Sequence, residues 1–162
     1  MDSERDFKLQ SAQQLRLLLK CTEAFAQELV NLTWPQVVEI DEGNDIRSFL
    51  VTSSELATLL GSILSGDRNI ADHIGENSIT QSVILIGMCA AVASICTPNY
   101  RVAKIAPDVS FKAPLPTGHP ILMTVRTVAT RLSVIKLGLT GQFPESKELV
   151  FTPRIVTMVK PT

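Results

Sequence analysis

The hydrophobic pattern of the chain is organised around Ile79–Cys96, ITQSVILIGMCAAVASIC. No residue from Val83 to Cys96 is charged, and the small residues Gly87, Ala90, Ala91, Ala93 and Ser94 fall on all sides of the helix this stretch predicts. A helix that is apolar all round has no face for solvent and must be wrapped by other elements. Val83–Cys96 would rise ~21 Å as a helix, which is short of the ~20 residues that span a bilayer. It therefore reads as a buried core helix.

The pattern on either side supplies the wrapping. From Gln10 to Asn31, and on to Leu32, the apolar residues Leu15, Leu18, Leu19, Phe25, Leu29 and Leu32 recur at three- and four-residue spacing. They predict an amphipathic helix with Lys20, Glu23, Gln27 and Glu28 on its wetter side. Trp34-Pro35 ends it, because proline disfavours a helical residue before it. Val37–Ile40 and Ile46–Thr52 are β-rich runs about a turn cluster, Asp-Glu-Gly-Asn-Asp, and predict a hairpin. Ser53 or Ser54 caps a helix through Glu55–Leu64, which Ser65-Gly66 ends. Residues 67–77 form a polar loop, with Asn77 or Ser78 placed to cap the central helix and Pro98-Asn99 to stop it.

Beyond it the period changes to two. Val102–Phe111 reads as a strand, and Ala113–Gly118 (APLPTG) as a rigid turn. Ile121–Ala129 sets Ile121, Met123 and Val125 against Leu122, Thr124 and Arg126. Ser133–Phe143 sets Ile135, Leu137, Leu139 and Phe143 against Lys136, Thr140 and Gln142. Both are half-buried strands. After a turn at Pro144–Lys147, Leu149–Val159 closes the sheet, with Val150, Thr152, Arg154, Val156 and Met158 on one side.

Composition narrows the class. The 162 residues predict one domain at 9–162 behind a frayed tail at 1–8, with 45% apolar and 19% charged residues, an ordinary globular mixture. A formal net charge of −1 argues against nucleic-acid binding. The N-terminus shows no basic-then-apolar signal pattern. Cys21, Cys89 and Cys96 are too few and unpatterned for a disulfide scaffold, and with two histidines and no C-x-x-C no metal site is expected. These features fit a reducing, cytoplasmic setting.

This order of elements, with Ile74-Gly75 before the helix and Val109-Ser-Phe-Lys-Ala-Pro-Leu-Pro-Thr-Gly118 after it, resembles the hotdog-fold acyl-CoA thioesterases. It is most similar to their small phenylacetate-pathway and mammalian single-domain types. The resemblance implies an α+β fold in which five or six antiparallel strands wrap a long apolar helix, with an extra N-terminal helix. It implies a homodimer or tetramer, an acyl-CoA substrate, and coenzyme A only as part of that substrate. The family carries His-Gly-Gly at the helix start and a carboxylate seven residues after the second glycine. Laying Gly75 on the family's preceding glycine puts Ser78-Ile79-Thr80 at His-Gly-Gly and Gly87 at the carboxylate. Asp72 keeps the position of the family's loop Asn or Asp.

The candidate chemistry gathers at this helix start. Asp72 or Glu76, partly desolvated, would have a raised pKa and serve as general base, and His73 is poised near neutrality for the same role. Solvated acids favouring the helix dipole are the other reading of this loop. The amides of Ile79 and Thr80 are expected to hold a thioester carbonyl. Ser78 or Thr80 could act as nucleophile only with a base in reach, and capping is Ser78's other role. Gln81 and Ser82 would line the pocket mouth, the other reading being polar residues at a helix start, and Val83, Leu85, Ile86 and Met88 would line an acyl tunnel. The resemblance places Arg101 and Lys104 against the phosphates of coenzyme A; a solvated strand edge is the alternative. His119 is given no role. Two functions remain open. One is hydrolysis of an acyl-CoA or carrier-bound thioester. The other is a hotdog domain that binds an acyl or polyketide-like ligand, or performs a lyase, dehydratase or cyclase step.

Overall fold

The computed structural model describes residues 12–13, 16, 22–42, 45–65, 78–80, 82–105 and 112–161. The chain forms two compact units, Met1–Trp34 and Pro35–Thr162. In the first, helix α1 (Glu23–Thr33) buries Ala26 and Val30 together with Ala12, and Trp34 packs against them. The expected helix from Gln10 to Asn31 is interrupted: Thr22 is extended (φ −71°, ψ 154°) and caps α1 by accepting the Phe25 N–H at 3.3 Å. A hydroxyl that satisfies an otherwise orphaned amide starts a new helix there. Trp34 ends α1 in an extended conformation (φ −69°, ψ 134°), as the following proline requires.

The second unit runs β1 (Gln36–Glu42), β2 (Ile46–Thr52), α2 (Glu55–Ser65), α3 (Ser82–Cys96), β3 (Arg101–Ile105), β4 (Ile121–Arg131), β5 (Val134–Gln142) and β6 (Leu149–Val159). Among the described residues six strands form one antiparallel sheet in the order β1-β2-β4-β5-β6-β3. The β1–β2 hairpin falls where the turn cluster places it, and Ser54 Oγ caps α2 by accepting the Ala57 N–H at 3.0 Å. Leu149–Val159, expected to close the sheet, is interior instead. β3 lies outside it at the edge, so the chain crosses the sheet between β3 and β4.

Helix α3 packs on β2, β3, β4 and β6, and α2 lies beside it. Its inner side, Leu85, Met88, Cys89, Val92 and Ala93, is buried against Phe49, Met123, Val125, Leu139, Val156 and Met158 on the facing strands. This is the period-two alternation of β4 and β5 turned into a core. The other side of α3 is open within the chain: Ser82 and Gly87 are exposed, and Val83 is 46% exposed. The all-round wrapping expected from the apolar run is therefore incomplete. Gly141 on β5 leaves room for the ring of Phe151 on β6; a Cβ there would lie 2.2 Å from the ring.

Candidate functional site

Asp72, His73, Glu76 and Gln81 lie outside the described residues. What the structure places is the segment that delivers the chain into α3. Ser78–Thr80 is extended rather than helical and pairs with the proline turn. Ile79 bridges Pro116, the Thr80 N–H donates to the Leu115 carbonyl at 2.7 Å, and the Thr117 N–H donates to the Ser78 carbonyl at 2.8 Å. Gly118, with φ 78°, closes the turn in the left-handed region that glycine occupies without a steric penalty. β-branched Ile79 and Thr80 suit this extended pairing better than a first helical turn.

Of the two amides expected to hold a carbonyl, that of Thr80 is taken up within the chain. Among the described residues helix α3 begins at Ser82, Ser78 pairs with the proline turn, and the Thr80 amide is engaged by Leu115. The amides that the helix itself leaves without an acceptor are those of its first turn, Ser82, Val83 and Ile84. Partial positive charge gathers at the same place. Proline-turn pairing thus takes the Thr80 amide out of the candidate donors, and the first-turn amides 82–84 join them.

The side chains of the paired segment alternate as a strand's do. Ile79 is 36% exposed, whereas Ser78 and Thr80 are 4% and 7% exposed and Leu115 is 1% exposed. The Thr80 hydroxyl meets Ser53 Oγ at 2.9 Å in the interior, tying the entry to α3 to the end of β2. Thr117 presents a buried hydroxyl without a hydrogen-bond partner. The sequence offers Ser53 only as a helix cap and does not single out Thr117, because their placement depends on pairing between distant segments.

Neither described cysteine is poised for nucleophilic work. Burial pushes the Cys89 thiol up to about 12, partly offset by the nearby Arg154 charge. Burial raises Cys96 to about 11; Arg47 opposes the shift and Glu39 adds to it. Thiolate is therefore scarce at neutral pH. Arg154 is itself only 3% exposed, on the core side of β6. It is a buried cation that the alternating pattern of β6 had grouped with aliphatic residues. At Gly87 a Cβ would have nothing within 4 Å. The helix is bare at the position where the resemblance calls for a carboxylate.

Arg101 and Lys104 are both exposed on edge strand β3. A bulge between Val102 and Lys104 pairs them with Val159 and Thr157, while Val102 and Ile105 pair with Met158 and Val156. Met158 and Val156 face the core, so Arg101 and Lys104 share the opposite face of the sheet, turned away from α3. The structure does not bring them together with the start of α3. Among the described residues no group of His, Cys, Asp and Glu could hold a metal ion, and no helix is long and apolar enough to cross a membrane.

No family model and no curated protein sequence matches the chain. Solved structures do. Thioesterase superfamily member 2 from Mus musculus is 11% identical with a TM-score of 0.57, covering 93% of this chain and 97% of its own. A Streptococcus mutans protein bound to acetyl CoA is 8% identical with a TM-score of 0.57, covering 79% and 90%. The (R)-hydratase from A. caviae involved in PHA biosynthesis is 15% identical with a TM-score of 0.57, covering 75% and 98%. At these identities the likeness is one of fold, and the fold is the hotdog: an α+β architecture shared by thioesterase-superfamily structures.

Proposed function

We propose that the chain is a thioesterase-like hydrolase acting on an acyl-CoA or carrier-bound acyl thioester, working as a homodimer. The observation that carries this reading is the start of α3, whose first-turn amides Ser82–Ile84 have no acceptor within the helix and stand at the end of an apolar helix–sheet interior. Such amides polarise a carbonyl and stabilise the oxyanion that follows attack on it. Water is activated by the loop before them, with Asp72 as base and His73 or Glu76 as the alternative. Attack at the thioester carbonyl gives a tetrahedral oxyanion, which collapses to a carboxylic acid and a free thiol. The acetyl CoA complex of the Streptococcus mutans protein of like fold supports a coenzyme A thioester as substrate.

β3 is an edge strand among the described residues, and such an edge suits dimerisation by strand pairing, since it presents unsatisfied amides and carbonyls. Gly87 favours a second reading. With no carboxylate on α3, the site resembles one that binds an acyl thioester, or adds or removes water next to its carbonyl, without hydrolysing it. An (R)-hydratase shares the fold. Release of free thiol from a panel of acyl-CoAs separates the two. Hydrolysis is expected in the wild type and is lost in Asp72→Asn with the circular dichroism spectrum unchanged. A wild type that binds acyl-CoAs but releases no thiol leaves the second reading.

A further inference from the structure

We infer that the end of the sheet formed by the β4–β5 hairpin and the strands beside it docks on an anionic lipid surface. Leu132 at the hairpin tip enters the lipid, and the cations around it meet the headgroup phosphates. The face concerned is the one turned away from α3. Register carries the cations onto it. Arg131 lies in one row with Val134, Val159 and Arg101, and Lys136 lies in the next with Thr157 and Lys104. Arg126 stands opposite Gly138, which pairs in turn with Ile155. Side chains directly opposite in a sheet share a face, and so do alternate residues of one strand. Gly138 is covered from that side: a Cβ there would lie 2.9 Å from the Val128 side chain and 3.6 Å from that of Arg126.

All five cations are exposed, and none takes part in an ion pair among the described residues. Strands β3, β4, β5 and β6 contain no Asp or Glu, although the chain as a whole has a formal net charge of −1. A field of one sign on one face attracts a polyanion. The apolar residues among the cations decide which kind. Leu132 is 93% exposed and takes the first place of a two-residue turn with φ 51°, where glycine is usual. Val128 and Ile155 are also exposed. An apolar tip beside Lys and Arg matches a lipid interface, which buries the aliphatic side chain while its headgroups hold the cations. None of these residues is aromatic, so a nucleic-acid base would find no ring to stack on.

The test is sedimentation of the full chain with vesicles of phosphatidylcholine alone and of phosphatidylcholine carrying phosphatidylserine. Wild type is expected to bind the anionic vesicles at least about tenfold more tightly, and to lose that advantage in high salt. Arg131→Gln with Lys136→Gln weakens this binding about twentyfold, at about fivefold per cation. Leu132→Asn, which the left-handed backbone accepts, weakens it about tenfold with the circular dichroism spectrum unchanged. Lys147→Gln, in the β5–β6 turn at the other end of the sheet, removes one charge and leaves binding as in wild type. No binding to anionic vesicles, equal binding to both compositions, or full binding by Leu132→Asn overturns the proposal. So does displacement from the vesicles by duplex DNA, which would mark the face as a nucleic-acid surface. No thioester enters this assay, so its outcome is independent of the hydrolase reading.

Discussion

Gly87 offers the cleanest measurement of whether the open side of α3 is open in solution. The residue is exposed in the interior of a helix, and a Cβ built there would have nothing within 4 Å. Replacing an exposed helical glycine by alanine removes backbone freedom from the unfolded chain and gains about 0.8–1.0 kcal/mol. For a domain of this size that raises Tm by about 3–4 °C. Gly87→Ala is therefore expected to shift the urea midpoint upward without changing the slope, followed by far-ultraviolet circular dichroism. A proposed dimer built on the β3 edge keeps its mass on size exclusion. A lowered midpoint, or a change of oligomeric state, would refute the reasoning. It would mean that a neighbouring element approaches the bare backbone in solution and that glycine is there to admit it. The same space bears on chemistry: Gly87→Asp places a carboxylate where the resemblance expects one. It is expected to fold and to raise thiol release from acyl-CoA above the wild-type rate, or to create it.

Three further outcomes are expected. Gly141→Ala drives a Cβ to 2.2 Å from the Phe151 ring; overpacking of this kind costs about 1–3 kcal/mol, read as a lower urea midpoint, which Phe151→Leu in the same chain partly restores. Leu132 sits at φ 51° in the β4–β5 turn and is 93% exposed, so Leu132→Gly relieves left-handed strain of about 1–2 kcal/mol, less the entropic cost of glycine, and raises Tm. The Cys89 thiol is held at about 12 against an ordinary 9.0. Its contribution is thus fully present below pH 9 and is lost as pH rises toward 12, because the unfolded chain releases the proton first. Stability should fall more steeply across that window in wild type than in Cys89→Ala, measured by urea titration at each pH.

The parts of the fold that the sequence announced are those whose pattern is local. Ile121, Met123 and Val125 alternate and are buried, because one face of β4 meets α3 and the other does not. Ser54 lies next to the helix it caps, and Pro35 next to the helix it ends, so both boundaries were legible. The order of the strands was not. Nothing in Arg101–Ile105 says that it passes beyond β6 to the edge, since that depends on a crossover rather than on composition. The single bulge in β3 then decides which face Arg101 and Lys104 share.

The start of α3 is where local and non-local signals compete most directly, and the candidate chemistry depends on the outcome. Asn77 and Ser78 are good caps, and a helix from 79 would place two amides at the thioester. Capping a helix there gains about 1 kcal/mol. The pairing that replaces it satisfies the Thr80 and Thr117 amides and buries Ser78, Thr80 and Leu115 together. Two backbone hydrogen bonds, the burial of Leu115, and the Ser53–Thr80 contact outweigh one cap. Residues more than thirty positions apart thus set where the helix begins, and a window of sequence around Ser78 cannot contain that information. The same pairing that takes Thr80 away from the thioester turns Ser78 and Thr117 toward the interior. The loss of one expected donor and the appearance of an unassigned hydroxyl are consequences of a single structural choice.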